Sequence, residues 1–220
     1  MKKLIIILLF FSSSTLADNF PDRLFGIGIY SGWYKAPVTE FKSYDNGKML
    51  RFVFNLKEND AIPYDLDSLG FIQSKYFNHY ITILTNEIFQ IKTIMGETSF
   101  VYSIEEANYF ETECFSKRNE VRNILKSKHN KIEFEDNYIS QSSNNSGIEI
   151  SDIMIASDDK KEIRLGLVCQ FFSLNSTSQK DKLVSRLAIQ LDRESGTYIP
   201  FGKKINKIDF NILTKDSGGL

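Results

Sequence analysis

Cysteine is scarce: the 220-residue chain holds two, Cys114 and Cys169. Neither belongs to a Cys-x-x-Cys pair, so a thiol redox motif is excluded. Histidine is equally scarce, with only His79 and His129. A zinc site takes three or four ligands, commonly His and Cys, and no ligand-spaced set exists here, so no metal or other cofactor is expected. There is no His-Glu-x-x-His helix, no Walker lysine and no Gly-x-Ser-x-Gly elbow, and no catalytic residue is assigned. Excess basic charge is absent too, with 27 Lys and Arg against 28 Asp and Glu. That balance excludes nucleic acid as a bulk electrostatic partner. Proline is rare, at four, and no low-complexity linker or internal repeat divides the chain. Apart from residues 4–11 there is no long apolar run, and that one falls short of the roughly 20 residues that span a bilayer.

The apolar run stands behind Met1-Lys2-Lys3 and before Ser12-Ser13-Ser14-Thr15-Leu16-Ala17. A positive start, a short hydrophobic core and a small residue at the cut form the pattern of a secretory signal peptide. Residues 1–17 are expected to be cleaved, sending the protein to the periplasm or the medium. No cysteine follows the cut, so no lipid attachment is expected, and no integral membrane anchor remains after cleavage. About 200 residues would be left, enough for one domain, 18–220, with its own core and a loose C-terminal tail at 217–220.

The clearest helix is predicted over residues 103–130. Ala107, Phe110, Cys114, Val121 and Leu125 recur at spacings of three, four or seven and share one face, interrupted at Lys117 or Arg118. Ser103 and Glu106 form a capping-box pair, and Lys126, Lys128 and His129 suit the negative end of the dipole. Phe100, Val101 and Tyr102 can instead extend a strand, delaying the helix to as late as Glu111.

Strands surround it. The run 24–30 reads as a strand with two glycines, and 49–56 as another. Residues 80–85 and 88–95 flank Asn86-Glu87 at close to hairpin spacing. A strand is predicted over 131–138, a Ser/Asn-rich loop over 140–147, and a bulge near Ser151-Asp152, where the phase of Ile148 and Ile150 switches to that of Ile153 and Ile155. Ile163, Leu165, Leu167, Cys169 and Phe171 alternate strictly. Leu183, Leu187, Ile189 and Leu191 line a further strand, and Ile208, Phe210 and Ile212 alternate in the tail. Short turns between strands imply antiparallel pairing. The expected fold is α+β: a mainly antiparallel sheet with one long helix packed across one face.

Two site expectations follow. Cys114 lies on the apolar face of the helix and Cys169 on that of its strand, so in an oxidising compartment the pair forms a structural disulfide. Trp33 and Tyr34, in a loop beside Lys35, offer a binding patch, since aromatic side chains supply contact area at low entropic cost. The glutamates 105, 106, 111 and 113 read as a solvated helix face favoured by the dipole. Residues 65–70 lack the remaining ligands of a calcium loop. The expected function is a non-catalytic binding or interaction module of the cell envelope, recognising a protein, glycan or small molecule. The alternatives are a carboxylate-dependent hydrolase of envelope polymers or a secreted inhibitor of a foreign enzyme.

Overall fold

The computed structural model describes residues 20–25, 27–30, 40–44, 49–55, 77, 80–86, 88, 90–103, 106–129, 132–135, 138–144, 147–158, 160, 162–174, 182–193, 203–209 and 212–213. Residues 1–17, expected to be a signal peptide, together with Trp33, Tyr34, His79, residues 65–70 and residues 217–220 lie outside them. A two-stranded hairpin, β1 (Arg23–Leu24) and β2 (Ile27–Gly28), precedes the main sheet. Then come β3 (Glu40–Tyr44), β4 (Met49–Asn55), β5 (Tyr80–Asn86) and β6 (Ile91–Ser103). The helix α1 (Ala107–Lys128) separates these from β7 (Tyr138–Asn144), β8 (Gly147–Asp158), β9 (Ile163–Leu174), β10 (Lys182–Arg193) and β11 (Lys203–Lys204). The nine strands β3–β11 form one sheet in the order β11-β7-β8-β9-β10-β6-β5-β4-β3. Every pairing in it is antiparallel. The described residues are therefore α+β, a mostly antiparallel sheet with the helix α1.

Register assigns the side chains to two faces, because alternate residues of a strand point opposite ways. One face carries Ile150, Met154 and Ala156 of β8, then Leu165, Leu167, Cys169 and Phe171 of β9. Leu187, Ile189 and Leu191 of β10 and Ile94 of β6 continue it. Ile81, Ile83 and Phe52 extend it across β5 and β4. All of these belong to one buried apolar cluster. The opposite face carries a smaller one: Met95, Ile153, Val168 and Ala188, with Tyr138 and Ile155 beside them.

That second cluster explains the phase switch in β8. Its pairing with β7 and β9 runs without a register shift, so the bulge expected at Ser151-Asp152 is absent. Ile150 and Ile153 simply serve opposite faces. A true shift occurs elsewhere, where Leu84 pairs with Thr93 and Thr85 with Ile91. The extra residue, Lys92, returns Ile91 to the main apolar face, where it is buried.

Three boundaries differ from expectation. The strand β6 continues to Ser103 and the helix begins at Ala107, because the β10 partners of residues 93–103 hold that stretch extended. Ser103 and Glu106 still meet, the Ser103 backbone N–H and hydroxyl donating to Glu106 Oε2 at 3.1 and 3.2 Å. Glu106 is itself the N-cap residue and makes no side-chain cap bond, so the expected capping box is not formed. Residues 132–135 are not strand, and the Ser-rich stretch is: β7 pairs from Tyr138 to Asn144 with β8, supplying ladder partners that outweigh its weak intrinsic preference. The described tail residues 208–209 and 212–213 are not strand, although Ile205 and Ile208 pack against the main core and Leu213 is buried in it.

The run 24–30 is a hairpin and not a single strand. Phe25, at its turn, holds φ 54° and is fully buried. Its ring meets Phe77 edge-on with centroids 6.2 Å apart. It also presses on Gly96 so closely that a Cβ there would overlap the ring. Gly96 is thus the place where the sheet admits the hairpin.

Candidate functional site

The helix meets the sheet at β9 and β10, with further contact to β6. Its chemistry lies at that junction. Cys114 and Cys169 are bonded, with Cα atoms 6.0 Å apart and 55 residues between them in sequence. Both are fully buried. Cys114 Sγ lies 3.6 Å from the Arg186 carbonyl oxygen; as a disulfide sulfur it has no hydrogen to donate.

One helical turn beyond Cys114, Arg118 enters the same layer. Its Nη1 donates to Asp152 Oδ1 at 2.5 Å and to the Asp152 carbonyl oxygen at 2.9 Å. The side chains of Arg118 and Asp152 are only 4% and 6% exposed. The guanidinium also lies 4.8 Å from the centre of the Phe115 ring, which meets Phe171 edge-on. Arg118 Nε is buried without a hydrogen-bond partner. Asp152 stands opposite Cys169 in the β8–β9 register, so the ion pair and the disulfide are immediate neighbours. The sequence showed Arg118 only as an interruption of an apolar face. The matching signal was Asp152, a carboxylate among strand residues whose alternates are apolar.

Near the helix start, the Tyr102 hydroxyl donates to Glu113 Oε2 and Lys117 Nζ donates to Glu113 Oε1 at 2.5 Å. Lys117 also lies over the Phe100 ring, 3.9 Å from its centroid. Burial, then the hydrogen bond and negative charge of Glu113, push the Tyr102 hydroxyl well above its ordinary range. Burial pushes the Glu113 carboxyl up, but donation from Lys117 and Tyr102 outweighs it, and the carboxyl sits below its ordinary value. Of the other helix glutamates, Glu106 stands at the N-cap position with its carboxylate turned back to Ser103, and Glu111 is exposed. His129 closes the helix through its backbone N–H to the Leu125 carbonyl at 2.9 Å.

The opposite face of the sheet carries a polar row across β8, β9, β10 and β6. Gln170 Nε2 and the Ser151 hydroxyl donate to Glu149 Oε1 at 2.9 and 3.1 Å. Arg186 Nη1 reaches Gln170 Oε1 at 3.5 Å and Glu97 Oε2 at 3.8 Å. The Arg186 guanidinium lies over Phe172, 5.2 Å from the ring centroid, and remains 31% exposed. Further along this face, the Thr93 hydroxyl and Gln190 Nε2 donate to Asp192 at 2.7 and 2.6 Å. Burial nonetheless raises the Asp192 carboxyl to about 6, against the pull of those two bonds and the Arg164 charge.

The structure thus joins Cys114 to Cys169. The patch expected at Trp33 and Tyr34 lies outside the described residues. Among the described residues there is no group of three or more His, Cys, Asp or Glu placed to hold a metal ion, and no helix is long and apolar enough to cross a membrane. No family model matches the chain, and neither a curated protein nor a solved structure shows significant similarity to it.

Proposed function

We propose that this chain is an exported protein of the cell envelope that binds a partner and catalyses nothing. On this reading the signal segment is cut after Ala17, the helix acts as a cover across the apolar face, and the opposite face is presented to the partner. The observation that carries the reading is the row Glu149–Gln170–Arg186–Glu97 beside Phe172. It sets a partly exposed guanidinium, neighbouring carboxylates and an aromatic ring on the sheet. Such a surface suits a polar protein or glycan ligand, because fixed donors and acceptors lose little entropy on binding. Trp33 and Tyr34 are a second proposed contact.

Carboxylate-dependent hydrolysis is less well supported. Glu113, Asp152, Asp192 and Glu149 each accept bonds from neighbouring side chains, which supports structural roles for them. A glycosidase instead needs two carboxyl groups facing a substrate across about 5–9.5 Å.

The test is affinity capture from envelope extract with the mature protein and with Arg186→Ala. Loss of the captured ligand in the variant, at unchanged melting temperature, is the expected result. Equal capture by both proteins would remove the row from the binding surface. Release of soluble fragments from purified envelope polymer would replace the binding reading with the hydrolytic one.

A further inference from the structure

Two links of opposite character fasten α1 to the sheet at adjacent points. Cys114 and Arg118 are one helical turn apart, and their partners Cys169 and Asp152 face each other across β8 and β9. The covalent link holds whatever the solvation cost. The ionic link carries a large one, because both charges leave water and Arg118 Nε finds no partner there.

Little else of the helix is fully buried among the described side chains, although Glu113 accepts from Tyr102 and Lys117 lies over Phe100 on β6. Among its described side chains, Val121 and Leu125 are the other fully buried ones, and Phe115 and Ile124 pack only partly. Tyr109, Glu111, Thr112, Ser116, Asn119 and Glu120 face solvent. Beneath the helix the sheet has its own support, since the pairing runs unbroken from β8 through β9 and β10 to β6.

We propose that docking of α1 is conditional on the disulfide: when Cys114 and Cys169 are reduced, the helix leaves the apolar face while the sheet stays folded. Arg118 makes the released state tolerable, because it returns a charge to water from the middle of the apolar stripe. The reaction balances with a dithiol as reductant. One of its thiolates attacks a sulfur of the Cys114–Cys169 bond, that bond breaks and a mixed disulfide forms. The reductant's second thiol displaces the protein sulfur, leaving two cysteine thiols and an oxidised cyclic reductant, with two electrons and two protons gained by the protein. Exchange with a disulfide oxidant reverses it. Because both sulfurs are fully buried, the helix must open before attack. The reduction rate therefore levels off as reductant concentration rises. If the chain is exported as proposed above, the helix docks only after the thiols reach an oxidising compartment; the catch itself does not depend on export.

Hydrogen exchange of the mature protein before and after dithiothreitol treatment tests it. After reduction, amides of 107–128 should lose protection by about a hundredfold or more, while 91–103, 147–158, 163–174 and 182–193 keep theirs. Retained protection in 107–128, or loss throughout the sheet, overturns the proposal. A second variant isolates the ionic link. Arg118→Met with Asp152→Leu removes both buried charges, and its helix should stay protected after reduction. Loss of protection equal to that of the parent protein would show that the buried charges do not set the condition. A reduction rate that rises linearly to the highest dithiothreitol concentration would overturn the opening step.

Discussion

At the residue scale, the most informative position is Asp152. Its carboxylate is the charge partner of a guanidinium with almost no access to water. Removing one member of such a pair strands the other. Asp152→Ala should cost about 3–5 kcal/mol of stability, read from chemical denaturation under oxidising conditions. A loss below about 1 kcal/mol would mean that water reaches Arg118 freely. Asp192 acts in the opposite sense. Its carboxyl is raised to about 6 in the folded chain, against about 3.9 when unfolded. Between those values the folded state holds a proton that the unfolded state has released. Stability therefore falls as pH rises from about 4 through about 6, and is greatest, as far as this group is concerned, below about 4. Asp192→Asn, which cannot titrate, should flatten that part of the profile; an unchanged slope would assign it to another group. Residue identity was legible for the cysteines, because their scarcity leaves a single pairing. It was not legible for Arg118, whose partner stands 34 residues away on another element.

At the element scale, local chemistry gave the helix its ends, and tertiary pairing moved them. Ser103 and Glu106 interact as their spacing predicts, yet Ser103 closes a strand. The strand β7 shows the same override: a Ser- and Asn-rich run becomes ordered because β8 supplies its ladder. The hairpin of β1 and β2 was read as one strand because Gly-Ile-Gly-Ile has no distinctive period. What the pattern hides is the fit of Phe25 into the space above Gly96. Gly96→Ala should destabilise the protein by about 1–3 kcal/mol through overpacking. Phe25→Ala should cost about 3–5 kcal/mol through the cavity it leaves. In the Phe25→Ala background, Gly96→Ala should cost far less than alone, since the clash is gone. Additive effects in that double-mutant cycle would show that Gly96 is needed for a reason other than the ring.

At the scale of the whole molecule, the sheet is two four-stranded meanders, β3 to β6 and β7 to β10, joined along a seam between their last strands, with β11 added at the β7 edge. The hairpin of β5 and β6 and the run from β8 to β10 were legible from strands and short turns, because those pairings are local. By contrast, β3 gave no strand signal, β7 reads as a loop, and β4 is separated from β5 by a long connection. The seam was not legible either: it pairs Asp192 with Thr93 and Lys182 with Ser103, and no turn chemistry signals contacts so far apart in sequence. The seam also carries the most consequence. Leu187, Ile189 and Leu191 of β10 sit in the main apolar cluster between β9 and β6, and the carbonyl beside Cys114 belongs to β10. Deleting residues from 182 onward would leave β6 and β9 as long unpaired edges with apolar side chains on one face. Such edges recruit other chains. The truncated protein should therefore aggregate on refolding and show none of the protected amides of β6, even though every residue of β3 to β6 is present. Recovery of a monomer with β6 protected would mean that the first meander folds independently. It would also mean that the long-range pairing, which ordinarily slows folding, comes after the fold is already secure.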